Sequence, residues 1–368
     1  MNTNGIPALK IGNLTISPPI IQGGMGIRVS GANLASAVAN TGCAGVIAST
    51  GIGMFEGWTG TKGDLLRFNG ESLKNEIRKA RSLTKGIIGV NILVALTDYD
   101  NLVKTSVEED VDMIICGAGL PLDLPKFLKG KDIKLIPIVS SSRALQIICR
   151  RWQSHYNKLP DAVIVEGVKA GGHLGYHYED VVNNTAQTLE QIVEDVIIVA
   201  NSFEPAIPVI AAGGIFDGAD IARFLKMGAS GVQMATRFVC TDECDVHPNF
   251  KQAYLDAAED DTTIIKSPVG LPGRVINSSF VEKIKQGQTI PFECSYKCLR
   301  TCEPETVPYC IAKVLSNAAK GKMDEAFAFA GSNAGRCKEI VPVKALIDKL
   351  VEELSRALAA EKQGLSVK

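Results

Sequence analysis

The chain has 368 residues and a formal charge of −1, with 39 basic and 40 acidic side chains. This balance leaves no basic block for nucleic acid or for an anionic membrane surface. No apolar run reaches the roughly 20 residues that a membrane-spanning helix needs, and residues 1–10 lack the basic flank and apolar core of an export signal. The expected partner is a small-molecule substrate, and the expected compartment is the cytoplasm.

From about residue 16 to residue 239, short β-branched apolar runs alternate with longer amphipathic stretches, which is the pattern of repeated βα units. The predicted strands are 16–21, 44–48, 87–93, 112–116, 135–139, 162–166, 208–212 and 231–235. The predicted helices are 32–40, 72–83, 99–109, 142–153, 189–200 and 218–227. Eight such strands predict an α/β fold of the (β/α)8 or TIM barrel type, with residues 1–239 as the barrel domain.

Two segments depart from this alternation. Residues 51–70 are rich in glycine and lack helical periodicity, so they are predicted to form a long loop after the second strand and are a candidate lid. Residues 240–368 are predicted to be a C-terminal extension packed on the barrel. This extension contains clustered cysteines and a closing helix at about 343–360.

In a barrel, functional residues belong to the loops that follow the carboxyl ends of the strands. Glycine-rich and polar segments follow these ends at Gln22-Gly23-Gly24-Met25-Gly26, Asn91, Glu166-Gly167, Ala170-Gly171-Gly172-His173, Ala212-Gly213-Gly214-Ile215 and Gln233-Met234-Ala235-Thr236. Glycines there allow close approach of a ligand and expose amide groups that bind phosphate, although a Gly-Gly pair is also a common tight turn. The sequence contains no Rossmann or P-loop motif.

Taken in order, these segments resemble the nitronate monooxygenases (2-nitropropane dioxygenases) and the enoyl-ACP reductases of type II. The resemblance covers the whole barrel and implies that FMN lies across the barrel mouth. It implies cofactor-binding roles for Gly24, Met25 and Asn91 at the flavin, Glu166 and Gly172 beside it, and Gly214, Gln233, Met234 and Thr236 at the phosphate end. Ala235 stands where the family usually has glycine. Residues 267–274 and 329–334 resemble bacterial members that carry a C-terminal extension.

His173 is the candidate catalytic residue, because an imidazole titrates near pH 6.5 and can accept a proton from an acidic carbon. The alternative is a histidine that only bonds the loop backbone. The resemblance favours catalysis and implies an oxidoreductase that acts on nitronates or nitroalkanes with His173 as base.

Two other functions remain open. One is an FMN reductase that uses NAD(P)H to reduce enoyl thioesters or quinones, and the other is a flavin-binding barrel without catalysis. The sequence does not define the oligomeric state, although a homodimer is common among such barrels.

Four cysteines form the series Cys294-x3-Cys298-x3-Cys302-x7-Cys310. In a helix the first three would share one stripe, and Pro304 and Pro308 would turn the chain so that Cys310 returns to them. Four thiolates can hold an iron–sulfur cluster or a structural zinc ion, although this spacing matches neither common pattern. Reduced thiols packed as small apolar side chains, or a redox disulfide, are the alternatives.

Overall fold

The computed structural model describes residues 5–54, 61–294 and 296–362. Its strands are β1 (Leu9–Ile11), β2 (Leu14–Ile16), β3 (Ile20–Gln22), β4 (Gly45–Ala48), β5 (Ile88–Leu93), β6 (Met113–Gly117), β7 (Lys134–Val139), β8 (Val163–Glu166), β9 (Gly172–His173), β10 (Val209–Ala212), β11 (Gly231–Met234), β12 (Thr262–Lys266) and β13 (Pro272–Ile276). Its helices are α1 (Ala32–Ala39), α2 (Lys62–Leu83), α3 (Tyr99–Glu108), α4 (Ser142–Tyr156), α5 (Tyr178–Val182), α6 (Leu189–Ala200), α7 (Gly218–Lys226), α8 (Thr236–Val239), α9 (Pro248–Asp256), α10 (Ser279–Lys285), α11 (Ile311–Ala319) and α12 (Val343–Lys362).

Eight parallel strands form one sheet in the order β3, β11, β10, β8, β7, β6, β5, β4. A parallel bridge between Ile21 of β3 and Ala44, the residue before β4, joins the two edges and closes the barrel. Most of these strands are buried on both faces, as their continuous apolar sequences predict. The predicted (β/α)8 barrel is confirmed.

The hairpin of β1 and β2 covers the amino-terminal end of the barrel. Leu9, Ile11 and Ile16 are fully buried and share one apolar cluster with the barrel interior. Gly231 lies at the start of β11, and a Cβ atom at this position would lie 3.0 Å from Cδ2 of Leu9. Because the hairpin closes this end, a ligand site is left to the opposite end, where the strands finish.

The first barrel strand begins later than predicted. The prediction placed it at 16–21, but Ile16 belongs to β2, and the barrel strand starts at Ile20. Pro18 and Pro19 stand between the two strands. Proline has no amide hydrogen for a sheet ladder, so the apolar run is divided at this pair.

The predicted loop at 51–70 is wrong in its second half, where α2 already begins at Lys62. Thr61 caps this helix by accepting a 3.1 Å hydrogen bond from the amide of Asp64. Glycine at position 70 leaves room for Asn101 of the adjacent α3, since a Cβ atom at this position would lie 3.1 Å from Nδ2 of Asn101. Residues 55–60 of the candidate lid lie outside the described residues.

The outer layer consists of helices that follow the strands, and α12 completes it by packing against α7 and α1. The amide of Gly218 at the start of α7 donates a 3.0 Å hydrogen bond to Glu353 of α12. A Cβ on Gly218 would lie only 2.1 Å from the backbone nitrogen of Leu354, so the two helices need glycine at this crossing. Across the described ranges, no helix combines the length and apolar character needed to cross a bilayer.

Candidate active site

A short strand after β8 brings His173 to the barrel mouth. In this strand, β9, His173 is paired with Gly273 of β13, and a 2.7 Å hydrogen bond joins its Nε2 atom to Oγ of Ser267. The ring of Phe329 packs edge-on against the imidazole, with 4.8 Å between ring centroids. Partners from the region after the barrel therefore orient the side chain.

Burial determines the charge of His173 and Glu166 at this end of the barrel. It lowers the pKa of His173 to about 4 and raises the pKa of Glu166 to about 8, because desolvation disfavours the charged form of each. Near pH 7 the imidazole is therefore neutral and able to accept a proton. The carboxyl group is largely protonated and able to donate a hydrogen bond.

The strand ends surround a cavity of about 200 Å³. Eight of the ten residues predicted to be catalytic or cofactor-binding line it: Gly24, Met25, Asn91, Glu166, Gly172, His173, Gln233 and Thr236. His173 and Glu166 also line an adjoining cavity of about 650 Å³. The structure thus brings together residues that are up to 212 positions apart in the chain, from Gly24 to Thr236.

The other two predicted residues, Gly214 and Met234, stand outside the lining of this cavity. Met234 is buried, and its carbonyl accepts a 2.8 Å hydrogen bond from the amide of Gly23. Gly214 has a φ of +79°, and its carbonyl accepts a 2.7 Å hydrogen bond from Nδ2 of Asn333. Both residues support segments that carry cavity residues.

The chemistry of the cavity residues fits the FMN implied by the resemblance. In the described part of the chain, the buried Oε1 atom of Gln233 has no hydrogen-bond partner, and a buried polar atom of this kind needs one. Close approach also depends on glycine, because a Cβ on Gly24 would lie 2.4 Å from that of Asn91. Gly172 has a left-handed φ of +85°, which favours glycine, and a Cβ atom at this position would face open space with nothing within 4 Å.

Sequence reasoning missed several cavity residues that come from the region after the barrel. Tyr254, Leu315 and Phe329 line the cavity, and the hydroxyl of Tyr254 donates a hydrogen bond to the carbonyl of Phe329. Ser267 and Phe329 belong to the two segments that resemble bacterial family members. That resemblance was the available signal, but it assigned no role to either side chain.

The four clustered cysteines lie in a segment without helix. Residues 296–310 contain turns, bends and one isolated β-bridge at Leu299 but no helix, and Lys297 has a left-handed φ of +42°, so the helical stripe considered for the first three cysteines does not form. All four thiols are free and half-buried. No group of three or more His, Cys, Asp or Glu side chains in the described ranges is arranged to hold a metal ion.

We expect Glu166→Gln to reduce the pH dependence of stability. The folded-state pKa of about 8 lies above the ordinary glutamate value of 4.5, so the unfolded chain releases this proton first and stability falls as the pH rises between these values. The wild-type chain should lose on the order of 4 kcal/mol over this interval through Glu166, and the variant should not. Urea unfolding of both proteins at pH 5 and pH 8 measures the difference, because contributions from other groups cancel. Equal pH slopes would contradict the raised pKa.

Comparisons with known proteins agree with this geometry. The family model described as nitronate monooxygenase matches residues 8–353. A dehydrogenase of an octahydroindene-carboxyl-CoA from Mycobacterium tuberculosis is 33% identical over 74% of this chain. The matched part spans 66% of that relative, just under two thirds of its length. A probable nitronate monooxygenase from Staphylococcus haemolyticus is 28% identical, with 94% of this chain and 96% of the relative covered.

Among solved structures, FabK from Thermotoga maritima is 30% identical, with a TM-score of 0.72 over 94% of this chain and 95% of that chain. The family match extends from β1 into α12 and therefore includes the barrel, the region after it and the closing helix. The family predicted from the motifs at the strand ends is confirmed. The chain belongs to the nitronate monooxygenase family.

Proposed function

We propose that the protein is an FMN-dependent oxidoreductase that oxidises nitronates, and nitroalkanes after His173 removes a proton from the carbon that carries the nitro group. The observation that carries this proposal is the neutral imidazole of His173 at the same cavity as Gly24, Asn91 and Gly172. A neutral imidazole has the free lone pair that proton removal requires.

The residues of the chain have separable roles in this reaction. Ser267 and Phe329 hold the imidazole in place, and the protonated carboxyl group of Glu166 can donate a hydrogen bond to an oxygen of the substrate. Gly24, Met25, Asn91, Gln233 and Thr236 would hold the cofactor. Bound FMN would accept electrons from the substrate and transfer them to oxygen.

An anoxic absorption experiment tests this function. The purified protein should show flavin bands that are bleached by a nitronate alone and restored by air. A folded protein that shows no flavin bands even after incubation with FMN would overturn the assignment of the cofactor. Bleaching by NADH or NADPH, without bleaching by a nitronate, would overturn the assignment of the substrate.

A reductase of enoyl thioesters or quinones is the second candidate. The adjoining cavity of about 650 Å³, which His173 and Glu166 share with the first, favours it because a small nitronate would leave most of this space empty. Lys266, which lines the outer part of this cavity, places a positive charge where an acidic carrier would approach. Steady-state oxidation of NAD(P)H that depends on an enoyl thioester or a quinone would establish this function.

We expect Ser267→Ala to lower kcat/KM for a nitroalkane about five- to tenfold, since the variant loses a hydrogen bond worth about 1 kcal/mol that orients His173. Ser267→Thr retains the hydroxyl group and should recover most of the activity. The comparison is made by oxygen consumption with FMN content measured for each variant. Equal activity in the alanine and threonine variants would show that the hydroxyl does not position the imidazole.

The compartment and the assembly are further proposals. All ten cysteines are free thiols, a state typical of a reducing compartment, which supports the cytoplasm. The homodimer stays a prediction, and sedimentation of the FMN-loaded protein would test it.

A further inference from the structure

The cysteine segment is fastened to the barrel close to the active site. The amide of Thr97 donates a 2.9 Å hydrogen bond to the carbonyl of Cys298, and the amide of Arg300 donates one of the same length to the carbonyl of Ala95. Leu96 and Leu299 form an antiparallel bridge between these two contacts. The central part of the segment is thus attached to the loop that follows β5.

A second set of contacts brings the ends of the segment together. The amide of Ile290 donates a 2.7 Å hydrogen bond to the carbonyl of Pro308, so the residues before Cys294 lie beside those before Cys310. The hydroxyl of Thr301 donates a 2.9 Å hydrogen bond to the carbonyl of Val269. The first contact folds the segment back on itself, and the second attaches it to the loop after β12.

The result is one neighbourhood of four thiols. Cys298 interacts electrostatically with Cys294, Cys302 and Cys310, and Cys302 interacts with Cys294 and Cys310. All four are half-buried and unpaired. Four separate surface thiols would show neither this mutual proximity nor this shared shielding from solvent.

We propose that Cys294, Cys298, Cys302 and Cys310 are the ligands of one iron–sulfur cluster. A zinc ion at about 2.3 Å from each sulfur would bring the sulfurs within about 4 Å of one another. No three potential ligands in the described ranges form such a single-ion site. A cluster of several irons and bridging sulfides accepts four thiolates that stand further apart.

The proposed cluster would lie beside the active-site cavity. Cys298 and His173 both line a small cavity of about 40 Å³, together with Leu93, Leu96 and Leu315. Cys298 therefore lies within one small, mainly apolar cavity of the candidate catalytic residue. Binding of a cluster by these thiols does not depend on whether the substrate is a nitronate or an enoyl thioester.

Iron and acid-labile sulfide analysis of the full chain, purified without oxygen and reconstituted with ferrous iron and sulfide, tests this proposal. We expect about two to four of each per chain, the contents of clusters held by four cysteines. Cys298→Ala and Cys302→Ala should lower both contents about tenfold or more while FMN remains bound. The control is Cys149→Ala, which removes a buried thiol of α4 and should keep the wild-type contents.

Three outcomes would overturn the proposal. One is a folded, FMN-loaded chain without iron and sulfide after reconstitution, and another is one equivalent of zinc in their place. The third is wild-type iron content in both cysteine variants. FMN content is measured in the same samples, so failure of the cluster can be distinguished from failure of the proposed flavin site.

Discussion

His173→Ala is expected to lower kcat/KM for a neutral nitroalkane by about 10²- to 10⁴-fold, the contribution typical of a positioned general base. The same variant should oxidise a preformed nitronate with a loss of about tenfold or less, because that substrate has already lost its proton. Oxygen consumption with both forms of one compound gives the two numbers. The ratio of the loss with the nitroalkane to the loss with the nitronate distinguishes removal of a base from a general disruption of the active site.

The control for this prediction is His155→Ala, which removes an exposed imidazole on α4 and should leave both activities unchanged. A pH profile adds an independent measurement. Because burial lowers the pKa of His173 to about 4, the fall of kcat/KM for the nitroalkane on the acidic side should come as the pH approaches 4, rather than near 6.5. Equal losses with nitroalkane and nitronate would show that His173 is not the base.

The barrel was predictable because its strands and helices have strong local patterns. Buried parallel strands are continuous apolar runs, and a helix such as α7 has both an apolar face and a cap, where Asp217 accepts a 3.0 Å hydrogen bond from the amide of Asp220. The motifs at the strand ends were also local. Eight of ten predicted residues line one cavity because a barrel brings the ends of its strands together.

The partners of His173 were not predictable from such patterns. Ser267 is 94 residues away from it, and the strand that carries His173 has only two residues, too short for an alternating pattern. The contact depends on β9 joining a sheet formed after the barrel. Long-range pairing of short strands leaves no periodic signal in the sequence, so the region after residue 239 could be predicted only in outline.

Gly24→Ala is expected to weaken FMN binding about ten- to hundredfold. The new Cβ would lie 2.4 Å from Cβ of Asn91, and relieving such an overlap costs about 1–3 kcal/mol. Moving either segment displaces the cavity wall at which the flavin is predicted to bind. Quenching of FMN fluorescence in a titration of the flavin-free protein measures the dissociation constant.

The matched control is Gly63→Ala in α2, where the nearest atom to the new Cβ is Oγ1 of Thr61 at 4.0 Å. That variant should bind FMN as the wild type does. The double variant Gly24→Ala/Asn91→Gly removes the opposing Cβ and should recover part of the affinity lost in Gly24→Ala, even though Asn91 is itself predicted to contact the flavin. Circular dichroism and thermal unfolding check that each variant is folded. Wild-type affinity in a folded Gly24→Ala protein would show that FMN does not bind against this wall, and would contradict the position of the cofactor on which the proposed chemistry of His173 depends.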